Sequence, residues 1–177
     1  MPSRKPEEKI PFKVRKNVKM LQHQDWTVRL GAATALGGIG NASAVLPLAE
    51  LLQDSSATVQ TSAAQALGKI GHESAIPHLV KKVQSFHPII GIRPHPWQMQ
   101  ASIDAAKALI LIGRSIQEKE VKSKEGKALQ LVAEHFHESE EPEIILKAYH
   151  AALAGKVTPK NARLYLKQLR AMKGKVK

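Results

Sequence analysis

Residues 21–51 read LQHQDWTVRLGAATALGGIGNASAVLPLAEL, and residues 52–82 read LQDSSATVQTSAAQALGKIGHESAIPHLVKK. Set one above the other, a shift of 31, fourteen of the 31 positions are identical. Thr27/Thr58, Val28/Val59, Ala32/Ala63, Ala33/Ala64, Ala35/Ala66, Leu36/Leu67, Gly37/Gly68, Ile39/Ile70 and Gly40/Gly71 are among them. This is a duplicated unit, and a fixed period of this length marks helical repeat architectures. A third copy follows at a shift of 42, where Ala105, Ala106, Ala108, Leu109, Ile112 and Gly113 repeat Ala63, Ala64, Ala66, Leu67, Ile70 and Gly71. The longer shift places an insertion of eleven residues within 84–98.

Each unit reads as two helices. Val45, Leu48, Leu51 and Leu52 recur three to four apart and predict a first helix over 42–53. Asp54-Ser55-Ser56 supplies turn and N-cap chemistry. The second helix is expected from about Ala57 to Ile70, with Gly71 just past its end in the left-handed conformation that glycine adopts most easily. Pro77 falls in the first turn of the next helix, where its missing N–H costs little. The alanines let helix axes approach, while leucine and isoleucine from the next unit fill the remaining space. One helix pair cannot bury its apolar face alone, so the units must stack.

Outward from the repeats, residues 1–10 form a basic tip read as disordered, and a capping helix starts near Pro11. The rest, 11–177, reads as a single solenoid domain, with regular repeats over about 21–115 and an inserted loop at 84–97. A divergent fourth helix pair is expected over 124–155, and a last helix over 158–173 with Thr158 as N-cap and Pro159 at the first position. The expected fold is therefore all-α: a right-handed solenoid of about four helix pairs with capping helices at both ends.

The pattern D-x-x-V-R-x-x-A-A-x-A-L-G-x-I-G-x-x-x-A, carried here by Asp25, Val28, Arg29, Ala32, Ala33, Ala35, Leu36, Gly37, Ile39, Gly40 and Ala44, resembles the HEAT-like repeat of the phycobilisome-lyase type. The second copy has Ser56 and Gln60 for the Asp and Arg, and the third has Ile110 for the first glycine. The resemblance implies a binding scaffold and a row of second helices on the concave side. It does not name a ligand.

Charge and chemistry narrow the function further. The chain of 177 residues carries a net charge of +12 and no cysteine, which excludes disulfides, Cys-ligated zinc and thiol nucleophiles. Its first twenty residues lack an apolar core for a secretory signal, and no apolar run approaches bilayer length, so no membrane insertion and a cytoplasmic location are expected. No nucleotide-binding or hydrolase motif occurs, so no catalytic residue, cofactor or metal is assigned, and a non-enzymatic role is favoured. His72-Glu73 invites comparison with deoxyhypusine hydroxylase, but its counterpart Asn41-Ala42 cannot complete a symmetric metal site.

Two surfaces stand out. Lys160, Arg163, Lys167 and Arg170 lie within one arc of the last helix, opposite Ala162, Tyr165, Leu169 and Met172, in a segment (144–177) with nine positive charges and no negative one. The arc reads either as the solvated side of a terminal cap or as an anion-binding surface. The inserted loop holds Arg93 and leads into Trp97, residue types enriched at binding hot spots, and reads either as a plug or as a recognition element. Trp26 and Trp97 both fall near the start of a second helix and are expected to share one rim. The leading expectation is a scaffold for a protein partner, with an acidic surface as one fit. The alternative is a nucleic-acid binder, including a likeness to HEAT-like DNA glycosylases through Trp26, Trp97 and Asp104, the last expected as an exposed helix residue. A bilin lyase-like subunit is a minor alternative.

Overall fold

The computed structural model of the protein describes residues 10–85, 96–115, 123–136, 139 and 141–173. Among them are nine α-helices and no strand: α1 (Phe12–Met20), α2 (Trp26–Ile39), α3 (Val45–Glu50), α4 (Ala57–Ile70), α5 (Ile76–Gln84), α6 (Pro96–Ser115), α7 (Lys124–His135), α8 (Pro142–Leu153) and α9 (Ala162–Lys173). The helices form an α-solenoid. Its spine is the row α2–α4–α6, with each helix packed along the next. Leu36, Leu67 and Leu109 hold the same repeat position in the three and have no exposed surface. One hydrophobic cluster runs from Val14 to Ala162. The basic tip lies outside the described residues apart from Ile10, and most of the inserted loop lies outside as well.

Glycine decides how closely the row packs. A Cβ on Gly37 would lie 2.8 Å from the Ala66 Cα, and one on Gly68 would lie 2.9 Å from the Ala108 Cα. Only hydrogen fits at those two crossings. The expected left-handed ends are also found: Gly40 and Gly71 close α2 and α4 at φ 71° and 68°. The α4 helix has the bounds read from its sequence.

The first helix of the second pair departs from expectation. Residues 42–53 are broken into a 3₁₀ turn (Ala42–Ala44), α3 and a second 3₁₀ turn (Leu51–Gln53). Asn41 caps the first turn by accepting the Ser43 N–H, and the next repeat opens the same way, with a 3₁₀ turn at Glu73–Ala75 capped by His72. At the head of α4, Ser56 caps nothing with its side chain. Asp54 Oδ1 instead accepts the Ser56 N–H at 2.8 Å.

The fourth pair enters in reversed order. In the earlier pairs the second helix joins the spine. Here the first, α7, packs on α6, and α8 lies beside α5. Gly113 explains the change. The repeat alignment makes it the equivalent of the helix-ending Gly71, yet α6 continues to Ser115 and Gly113 is not among the glycines with positive φ. Its missing side chain admits α7 instead, since a Cβ there would lie 2.6 Å from the Ala133 Cβ and 2.7 Å from the Leu129 carbonyl oxygen. The third unit has thus moved its glycine contact one turn along, and Ile110, at the old glycine position, is buried.

The last helix starts later than its Thr158-Pro159 signal suggests. Asn161 accepts the Thr158 N–H at 2.7 Å and donates to the Lys156 carbonyl at 3.0 Å, which holds 158–161 as a turn. Helix α9 begins at Ala162, so Lys160 sits in the turn before it.

Candidate partner-binding surface

Packing leaves each spine helix one outward stripe. On α4, buried between α2 and α6, the stripe consists of Thr58, half-buried Thr61, Gln65 and Lys69. The repeat shifts map it onto Thr27, Leu30, Thr34 and Gly38 of α2 and onto Gln100, Ile103, Lys107 and Leu111 of α6. Each mapped position is exposed or half-buried. The face changes along the row, from no charge on α2 to one lysine each on α4 and α6. These three helices contain a single carboxylate, Asp104, and it is 7% exposed. Asp104 is therefore a buried residue and not the exposed one expected. It accepts from the Gln100 side-chain amide at 2.9 Å and the Gln65 amide at 3.4 Å, so its charge is roofed by two neutral groups of the stripe.

One end of the face carries an apolar rim. Trp26 opens α2 and is 45% exposed. Its equivalents are half-buried Ala57 on α4 and Met99 on α6, which is 37% exposed. The residue matching Trp26 is thus Met99. Trp97 lies in the first turn of α6, but its side chain is outside the described residues, as is Arg93. Combining the shifts of 31 and 42 points to Met99, Gln65, Lys69, Lys107 and Leu111 from sequence alone. A search for conspicuous residue types passes over them.

The spine is locked beneath the rim by an ion pair between repeats. Arg29 Nε and Nη2 donate to the two carboxylate oxygens of Asp54 at 2.7 and 2.8 Å, and Nη1 donates to the His23 and Gln24 carbonyls at 2.8 Å. Burial alone pushes the Asp54 carboxyl up. The Arg29 guanidinium and the Ser56 N–H outweigh it and hold the group below the usual carboxylate range. One repeat later the same positions are Gln60 and Ser85. There Lys82 Nζ donates to Gln60 Oε1 at 2.7 Å, and burial pushes the Lys82 ammonium down.

The basic arc lies elsewhere. Lys160, Arg163, Lys167 and Arg170 are all exposed, and α9 rests on α8. It is fixed by buried Ala162 and half-buried Tyr165, Leu166 and Leu169, while Leu164 and Met172 are 60% and 68% exposed. Along the stack this is the end opposite Trp26, so rim and arc form two separate surfaces.

Two cavities flank α8. One, of about 580 Å³, lies between α5 and α8, where Ile76, Val80, Tyr149 and Leu153 meet Glu73 and Glu125. Burial, with the Glu125 charge, pushes the Tyr149 hydroxyl pKa up. The other, of about 650 Å³, lies between α8 and α9. Among the described residues no group of three or more His, Asp or Glu is placed to hold a metal ion, and no helix is long and apolar enough to cross a membrane.

Residues 14–87, from within α1 to just beyond the second duplicated unit, match the family model of HEAT repeats. The chain carries HEAT-like repeats. A comparison with curated proteins finds no match.

Proposed function

We propose that this HEAT-like chain is a non-enzymatic scaffold that holds a protein partner on the outward face of α2, α4 and α6. The observation that carries the reading is the composition of that face. Trp26, Met99 and Leu111 are exposed apolar residues on helices whose only carboxylate is buried. Exposed aromatic and long apolar side chains beside cationic ones are what a protein interface uses at its anchors. A phosphate backbone needs the cations and gains little from Trp26 or Leu111. The pattern led by Asp25, Val28 and Arg29 supports the phycobilisome-lyase type of repeat and lends no bilin chemistry to this face.

Capture from native lysate, with and without nuclease, tests the reading. The full chain is expected to retain a protein after nuclease treatment. A variant with Trp26→Ser and Leu111→Ser is expected to retain at least about tenfold less. Capture abolished by nuclease, and unaffected by the two substitutions, would support the nucleic-acid reading instead.

A further inference from the structure

The cavity of about 580 Å³ between α5 and α8 brings two carboxylates together beside a buried hydroxyl. Ser123 links the two acids. Its Oγ donates to Glu73 Oε2 at 2.6 Å and, as the N-cap of α7, accepts the Gly126 N–H at 3.0 Å. Half-buried Glu73 is thereby pinned against the first turn of α7, where Glu125 follows two residues after Ser123. Among the described residues neither Glu73 nor Glu125 has an ion-pair partner, and no lysine or arginine lines the cavity. The positive end of α7 offsets only about half a unit of their combined charge.

Tyr149 is an independent observation. It is 3% exposed and lines the same cavity. Among the described residues no hydrogen bond reaches its hydroxyl, although a buried polar group ordinarily makes one. The Glu125 charge acts on that hydroxyl, so the hydroxyl looks toward the carboxylates. Ile76, Val80 and Leu153 give the rest of the wall an apolar character. Three acceptors from three elements, the Glu73–Ala75 turn, α7 and α8, therefore border one apolar space. Its volume is that of a small-molecule site.

We propose that this cavity binds a primary ammonium on an apolar stem, the chemistry shared by a lysine side chain and a free alkylamine. The stem lies against Ile76, Val80 and Leu153. The three N–H donors of the ammonium meet Glu73, Glu125 and the Tyr149 Oη. A guanidinium pairs best with both oxygens of one carboxylate, and Ser123 already occupies Oε2 of Glu73. Two carboxylates and a hydroxyl fall short of the oxygen set that holds a divalent cation. The site lies off the α2–α4–α6 face, so it goes beyond the scaffold reading and does not depend on it.

Calorimetric titration of the full chain with n-pentylamine, n-pentanol and Nα-acetyl-lysine amide is the test. Pentylamine is expected to bind saturably, and pentanol, which lacks the charge, at least about tenfold more weakly. General attraction does not account for such binding, because the +12 charge of the chain repels cations. Glu73→Gln with Glu125→Gln is expected to weaken pentylamine more than about tenfold, and Tyr149→Phe at least about threefold. Both changes keep side-chain shape, so circular dichroism is expected to be unchanged. Tyr149→Phe is also expected to leave the urea midpoint unchanged or raised, whereas a hydroxyl with a purely structural role would lower it. Acetyl-lysine amide bound as tightly as pentylamine supports the site with the lysine of another chain as ligand. Pentylamine bound without the capped lysine supports it with a free amine. Equal binding of amine and alcohol, amine binding untouched by either variant, or no saturation by about 10 mM overturns the proposal. Calcium that binds through Glu73 and Glu125 and displaces pentylamine overturns it in favour of a metal.

Discussion

Gly37 and Gly38 are neighbours on α2 with opposite duties. A methyl group on Gly37 meets the Ala66 backbone, whereas one on Gly38 meets nothing within 4 Å. Alanine gains up to about 1 kcal/mol over glycine inside a helix from backbone entropy alone. Gly38→Ala is therefore expected to raise stability by about 0.5–1 kcal/mol in urea unfolding. Gly37→Ala is expected to lower it by about 1–3 kcal/mol, because overpacking at a backbone crossing outweighs the gain. Equal shifts for the two would show that α2 and α4 do not cross there. Asp54 gives a pH prediction with a definite sign. Its carboxyl is held below the ordinary aspartate value, so the pair with Arg29 stabilises the fold above about pH 4 and loses its effect as pH falls through the depressed folded value. The melting temperature of the native chain is expected to exceed that of Asp54→Asn by a constant amount near neutrality. The two curves should converge in acid. A gap that persists at low pH would mean that the ion pair is not its source.

Helices were legible where the repeat and its punctuation agreed. Gly71 and the doubled alanine pattern marked out α4, and Pro77 the first turn of α5, because a left-handed glycine and a local apolar period depend on nothing far away. The misreadings arose where a local signal competed with another group or with tertiary packing. The helix expected from Thr158 begins at Ala162, after a turn in which Asn161 accepts the Thr158 N–H. Asn41 caps a 3₁₀ turn at a place where the apolar spacing suggested a continuous α-helix. Gly113 shares its repeat position with the helix-ending Gly40 and Gly71, yet its own role is decided by the distant residues Leu129 and Ala133. The candidate site was legible in a different way. The basic arc is exposed as expected, apart from the displacement of Lys160 into a turn, while the outward stripe depends on which positions remain after stacking. The reversed fourth pair makes its own prediction. Gly113→Ala is expected to cost about 1–3 kcal/mol, since α7 must shift. Adding Ala133→Gly is expected to restore only part of this, because the Leu129 carbonyl stays in place. A gain in stability from Gly113→Ala alone would remove α7 from its place against α6.

The described helices form a quasi-linear stack in which each spine helix contacts its neighbours, so a face is built by repetition. The Trp26 end of the rim and the cationic α9 stand at opposite ends. The proposed protein partner lies across α2, α4 and α6. Site-specific crosslinking measures this directly, because the chain has no cysteine to interfere. A photo-crosslinker attached through Gln65→Cys, on the outward stripe of α4, is compared with one attached through Leu46→Cys, on α3, where the native side chain is 63% exposed. A nuclease-resistant protein adduct is expected from the Gln65 position and none from the Leu46 position. An adduct from the Leu46 position alone, or a nucleic-acid adduct from the Gln65 position, would contradict it.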